Sequence, residues 1–278
     1  MSPPLLGSKK RTPIASALRR AKKGRRAAFI PYITAGDPHL DATPRLVEAL
    51  EEAGADIVEL GVPFSDPMAD GPVNQRAAYR ALQAGTTLSG ILDQLTARRD
   101  RIRVPIVLFT YLNPIVAMGV DEFVERAAHA GVAGVLCVDA PPEEIEHDLV
   151  AELRRRGIDP IFLLAPTSSR ERIKRVAKLA SGFVYYVSRL GITGEQAALA
   201  PQLISEVKRL RRRVGVPVAV GFGISTAEQV QAVGEVADGV VVGSALVRVV
   251  EEGAEAGLST AEIAERLGAR AAELLSNR

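Results

Sequence analysis

The chain has 278 residues, of which 47% are hydrophobic and 24% charged, which suits one large soluble domain such as an α/β barrel of about 250 residues. No apolar run approaches the roughly 18 residues of a membrane span, and the start lacks the apolar stretch of a secretory signal, so a cytoplasmic location is expected. The single Cys137 excludes an internal disulfide framework, and His39, His129 and His147 share no ligand spacing, so no metal centre is expected.

The net charge of +2 hides an asymmetry. Residues 1–26 carry nine of the 35 Lys and Arg residues and no acid, leaving 26 basic against 33 acidic residues in the remainder, a net of −7. A basic arm attracts nucleic acid, but an acidic body repels it, and no base-stacking motif accompanies the arm. Nucleic-acid binding is therefore not expected. Within this segment Pro13, followed by Ile14, Ala17 and Leu18, predicts a short amphipathic helix with a solvated charged face. The division expected is a basic, partly helical segment over 1–26 and one domain over 27–278.

From there eight β-rich runs recur, each followed by a helical pattern: Ala28–Thr34, Asp56–Gly61, Pro105–Tyr111, Gly134–Asp139, Pro160–Ala165, Phe183–Ser188, Pro217–Gly221 and Gly239–Gly243. Near-continuous apolar strands suit a parallel sheet covered on both faces. Alternation of this kind gives an open doubly wound sheet or a closed barrel, and eight repeats favour a single (β/α)8 barrel, the TIM barrel. Two connections are unusually long. Between Gly61 and Pro105 there is room for an extra helix near Asn74–Gln83 before one at Leu88–Arg98. The other is Arg189–Ala200, a candidate lid.

Glu59 falls late in the second strand. Alternation puts it on the same face as Ile57, so if Ile57 points into the barrel Glu59 does too, at the mouth. A carboxylate there is either an acid/base group with a raised pKa or a structural partner for an arginine across the barrel. Asp70, before Gly71-Pro72, is either a turn or capping residue or the second member of a two-carboxylate site. Glycine turns follow the last three strands at Gly191–Gly194, Gly221–Gly223 and Gly243-Ser244. The latter two are placed to cradle a phosphate against a helix start. Most of the twelve Phe and Tyr residues lie in or just past strands, where core packing accounts for them. Tyr32, Phe109 and Tyr185 fall late enough to line a flat apolar pocket. None of the seven lysines sits at a strand end to form a Schiff base, so carbon–carbon chemistry would run on general acids and bases.

The segments Phe29–Pro38, Glu59–Pro72, Tyr185–Gly194, Gly221–Ser225 and Gly243-Ser244 together closely resemble the tryptophan synthase alpha chain family, in order from about residue 14 to the C-terminus. The resemblance implies retro-aldol cleavage of indole-3-glycerol phosphate to indole and glyceraldehyde 3-phosphate, a lyase step of tryptophan biosynthesis. It implies a beta chain partner in an α2β2 tetramer, with pyridoxal phosphate in the partner and no cofactor here. Glu59 matches the family's acid/base glutamate and Asp70 its second catalytic carboxylate. Tyr32, Phe109 and Tyr185 match the indole pocket, Gly194, Gly223, Gly243 and Ser244 the phosphate positions, and Thr193 a lid residue that meets the aspartate on closure. The partner surface is expected around the loop after Glu59 and the loops after the third and fourth strands, including Asn113, Pro114 and Asp139. Other readings carried by the same motifs are a stand-alone lyase without a partner and a non-catalytic regulatory subunit, which the intact Glu59 and Asp70 argue against. Ala140 stands where a larger apolar residue is usual, and the basic arm is longer than a typical family start.

Overall fold

The computed structural model describes residues 12–187, 201–221 and 223–277. Thr193, Gly194, the 189–200 segment, Phe222 and the first eleven residues of the basic arm therefore lie outside the described residues.

In chain order the elements are α1 (Pro13–Lys23), β1 (Ala28–Thr34), α2 (Thr43–Glu52), β2 (Val58–Gly61), α3 (Pro72–Gln83), α4 (Leu88–Arg98), β3 (Ile106–Thr110), α5 (Leu112–Met118), α6 (Val120–His129) and β4 (Val132–Cys137). They continue with α7 (Pro142–Ile145), α8 (Ala151–Arg155), β5 (Asp159–Leu164), α9 (Arg170–Leu179), β6 (Val184–Val187), α10 (Pro201–Val214), β7 (Val218–Gly221), α11 (Ala227–Gly234), β8 (Gly239–Val242), α12 (Ser244–Glu255) and α13 (Thr260–Leu274). The eight strands pair in parallel and in sequence order, and β8 closes on β1. The fold is the (β/α)8 barrel, and alternation along each strand assigns its side chains. Ile30, Ile57, Val107, Ile161, Phe183, Ala219 and Val241 fill the interior. Val58, Leu60, Leu108, Val184 and Val220 face the helical layer.

The amphipathic helix expected at Pro13 forms with Pro13 in its first turn and Thr12 as cap, the Thr12 side chain accepting from the Ala15 amide. Its buried face, Ile14, Ala17, Leu18 and Ala21, belongs to the same apolar cluster as the barrel interior, while Arg19, Arg20, Lys22 and Lys23 are exposed. The helix is thus the floor of the barrel. Its burial contributes roughly 2 kcal/mol for each of Ile14 and Leu18. Room for it comes from Gly134, where a Cβ would lie 2.7 Å from Ile14 Cδ1. Just beyond the helix, Arg26 forks onto Asp56 at 2.5 and 2.8 Å, and Asp56 also accepts the Phe29 amide at 2.8 Å.

Two features depart from expectation. The fourth strand starts at Val132, because Gly131, with φ +77, ends the preceding helix and Val132 pairs at once with Ile106, followed by a register shift. The segment after β3 folds as two helices rather than one, broken at Gly119 with φ +94, a backbone conformation that L side chains rarely adopt. The extra helix after β2 is present as α3, two residues longer at its start than Asn74 because Pro72 pre-sets the first turn.

Candidate active site

Glu59 is the second residue of β2, two positions past Ile57, paired in register with Tyr32 on β1 and Val107 on β3. Its parity turns it inward with Ile57, and it is 1% exposed. Among the described residues neither carboxyl oxygen has a hydrogen-bond partner, and no arginine crosses the barrel to meet it. Of the two sequence readings of this residue, the structural ion pair therefore finds no support. Burial without compensation disfavours the carboxylate and raises the pKa to about 8. Such a group is a protonated acid at neutral pH that gives up and regains its proton within the working range.

The aromatic wall stands beside it. Tyr32 meets Phe109 edge-on, with ring centroids 5.4 Å apart at 79°. Close approach by the rings depends on glycine twice. A Cβ at Gly61 would fall 2.2 Å from the Tyr32 hydroxyl, and one at Gly221 would fall 2.4 Å from the Tyr185 hydroxyl. Burial raises both phenols, and the charges of Glu59 and Asp70 act on each of them in the same direction. Tyr32, Tyr185 and the two carboxylates thus share one mouth of the barrel.

Asp70 is held by the turn that precedes α3. Its amide donates to the Pro67 carbonyl at 3.0 Å, and the Gln75 side chain donates to its carbonyl at 2.9 Å. Gly71 caps α3 directly behind it, so the positive end of the helix lies next to the carboxylate. Partial burial pushes the carboxyl pKa above its ordinary value, opposed by hydrogen bonds from Tyr111 and Asn74. The capping role is not the one Asp70 plays, since α3 has no side-chain cap bond.

Tyr111, which the sequence leaves among the core aromatics, is brought onto Asp70 by the structure. Its hydroxyl donates to Asp70 Oδ2 at 2.9 Å and accepts the Ala69 amide at 3.1 Å, and its ring stacks on Phe64 at 4.9 Å. The only signal in the sequence was a tyrosine at the very end of a strand, indistinguishable there from the core aromatics. Tyr111→Phe is expected to lower kcat about tenfold and to move the acid limb of the pH–rate profile upward, because one stabilising bond to the carboxylate is lost. A profile with its acid limb unmoved would show that the bond does not tune Asp70.

At the opposite side of the mouth, β8 ends at Val242, Gly243 follows as the cap, and α12 begins at Ser244. Gly223, with φ +68, and Ser244 line one open hollow of about 590 Å³ together with Ser225, Arg248 and Arg270. Arg270 holds that rim by donating to the Ser225 carbonyl at 2.6 Å. Glycine backbone beside the start of a twelve-residue helix is an arrangement able to take an anion. Tyr32 packs near this point as well, 3.6 Å from where a Gly243 Cβ would stand.

Comparison with known proteins identifies the family of the chain. The family model described as tryptophan synthase alpha chain matches residues 18–274. The tryptophan synthase alpha chain of Geotalea daltonii is 52% identical over 240 residues, which cover 86% of this chain and 90% of that protein. The Burkholderia thailandensis counterpart is 53% identical over 235 residues, covering 84% and 86% of the two chains. Among solved structures, the tryptophan synthase subunit alpha of Legionella pneumophila superposes with a TM-score of 0.86 at 37% identity, over 96% of this chain and 99% of that one. An open form of tryptophan synthase from M. tuberculosis gives 0.84 at 33% identity, over 96% and 98%. The chain belongs to the tryptophan synthase alpha chain family.

Proposed function

We infer that this chain cleaves indole-3-glycerol phosphate to indole and glyceraldehyde 3-phosphate. The observation that carries the reading is Glu59: a buried carboxyl without a partner among the described residues, with a pKa near 8, beside an aromatic wall and a second carboxylate. The indole ring lies between Tyr32, Phe109 and Tyr185. The phosphate sits at Gly223, Gly243 and Ser244, with Gly194 and the lid residue Thr193 assigned by family likeness. Glu59 donates its proton to the ring carbon that bears the side chain. Asp70 accepts a hydrogen bond from the ring N–H and stabilises the positive charge that then appears on the ring. The Glu59 carboxylate takes the proton of the adjacent glycerol hydroxyl as the carbon–carbon bond breaks. The bonding pair returns to the ring, and the hydroxyl carbon leaves as the aldehyde. Protons balance: Glu59 ends as it began.

The indole passes to a beta chain for condensation with serine, and pyridoxal phosphate belongs to that partner, in an α2β2 assembly in the cytoplasm. No described helix is long and apolar enough to cross a membrane. Support for the partner surface comes from Met68, 90% exposed in the loop after Glu59, and Val116, 58% exposed on α5. Asn113 and Asp139 are exposed near them, with Asp139 accepting the Leu112 amide at 2.8 Å. Large apolar side chains left in solvent around a site mouth are what a docking partner covers. The test is indole release from indole-3-glycerol phosphate by the purified chain, with and without beta chain. Faster release with the partner is expected. Equal rates would sink the subunit role and leave a stand-alone lyase, and no indole in either case would sink the activity.

A further inference from the structure

Outside the acid pair and the aromatic wall, a forked charged cluster is built on α3. Arg80 donates from Nε and Nη2 to the two oxygens of Asp37 at 2.9 and 2.8 Å, and from Nη1 to Glu251 Oε1 at 2.7 Å. Arg76, one turn earlier on the same face, donates from Nε and Nη2 to Glu251 Oε1 and Oε2 at 2.6 and 2.8 Å. Asp37 is 1% exposed and Glu251 5%. Burial pushes the Asp37 carboxyl upward despite its fork, whereas two guanidinium groups hold Glu251 down at about 2.

Carboxylates buried in this way, even against partly exposed guanidinium groups, are a costly means of joining helices, and apolar packing of similar volume often does as well. What forked pairs add is geometry, because two parallel bonds set both distance and angle where apolar side chains tolerate sliding. The elements joined here are informative. Asp37 follows β1, which carries Tyr32. Arg76 and Arg80 ride on α3, whose first turn comes directly behind Asp70 and Gly71. Glu251 lies two turns along α12 from Ser244. The network therefore connects the supports of the aromatic wall, of the acid and of the phosphate seat.

We propose that Asp37, Arg76, Arg80 and Glu251 are positioning residues that set the span between Asp70 and the helix start at Gly243-Ser244, so that one substrate engages both ends at once. This rests on the site assignment made above. Each end alone keeps its affinity when the span changes, whereas a ligand that must reach both loses the advantage of linkage.

The chain contains no tryptophan, so the emission of an added indole ring reports its own binding. Three probes separate the cases on the full chain: indole for the ring end, glycerol 3-phosphate for the anion end, and indole-3-propyl phosphate, which lacks the side-chain hydroxyls and is not cleaved, for both. Glu251→Gln is expected to bind the first two within about twofold of wild type and the joined ligand about tenfold more weakly, with kcat reduced alongside. Arg76→Gln leaves the Arg80–Glu251 bond in place, and so remains available if Glu251→Gln does not fold. It is expected to show about a threefold loss on the joined ligand alone. Arg80→Lys keeps the charge without the fork and should follow Glu251→Gln. Equal losses on all three probes, or a lower melting temperature with the joined-to-separate ratio unchanged, would overturn the proposal and leave a purely structural network. A wild-type chain that binds neither fragment would overturn the site assignment, and this inference with it.

Discussion

Glu59→Gln is expected to abolish indole release while making the folded chain more tolerant of alkaline pH. Loss of activity follows from removing the buried acid that faces the aromatic wall at the barrel mouth, and binding of a phosphate ligand should stay within a few-fold. The stability effect follows from linkage. The folded-state pKa is near 8, well above the unfolded value of about 4.3, so the native state holds the proton more tightly. Below the unfolded value both states are neutral and nothing is gained or lost. As pH rises from there to about 8, the unfolded state ionises and the native state does not, and stability falls by about 1.4 kcal/mol per pH unit. Above the folded value the difference levels off. Glutamine has no such slope, so between pH 5 and 8 the variant should gain on wild type by about 3 kcal/mol. Parallel denaturant titrations at the two pH values read this directly. Identical pH slopes for variant and wild type would mean that Glu59 is ionised in the folded chain, contrary to its orphaned burial.

Asp70→Asn is expected to lower kcat by at least about 100-fold with KM within a few-fold, the pattern of an interaction made chiefly with the charged transition state. The amide still accepts a hydrogen bond from the ring N–H, but it does not answer the positive charge on the protonated ring. In the wild type Asp70 must be ionised and Glu59 protonated. The rate should therefore fall at low pH through the raised Asp70 pKa and at high pH through about 8. The Asn variant should keep only the alkaline limb. A steady-state profile showing an unchanged acid limb, or turnover near wild type, would remove Asp70 from the chemistry.

The two acids were not equally legible. Glu59 was legible in the sequence up to one condition: strict strand alternation puts it on the face of Ile57, and the structure turns that face to the interior. Asp70 lies in an irregular segment with no period. Its place there is decided by contacts to residues far along the chain, above all Tyr111, forty-one positions away. Tyr111 itself was invisible for the same reason, and so was the Arg76–Glu251 contact, which spans 175 positions. Fold class was legible throughout, since eight apolar runs alternating with helical patterns leave few alternatives. Exact element ends were less so: nothing in local pattern announced the break at Gly119 or the early start of β4.

The sequence alone determined the barrel, the shared face of Ile57 and Glu59, the amphipathic character of α1 and the family, because periodicity and contiguous motifs are local properties of the chain. Only the tertiary structure decided that α1 closes the barrel floor, that the Glu59 carboxyl has no partner among the described residues, that Asp70 is held by Tyr111, and that α3 is locked to α12. Each of these depends on which side chains meet across the closed sheet. Burial, and with it the proton affinity of a carboxyl group, is a property of everything packed around it rather than of its neighbours in sequence.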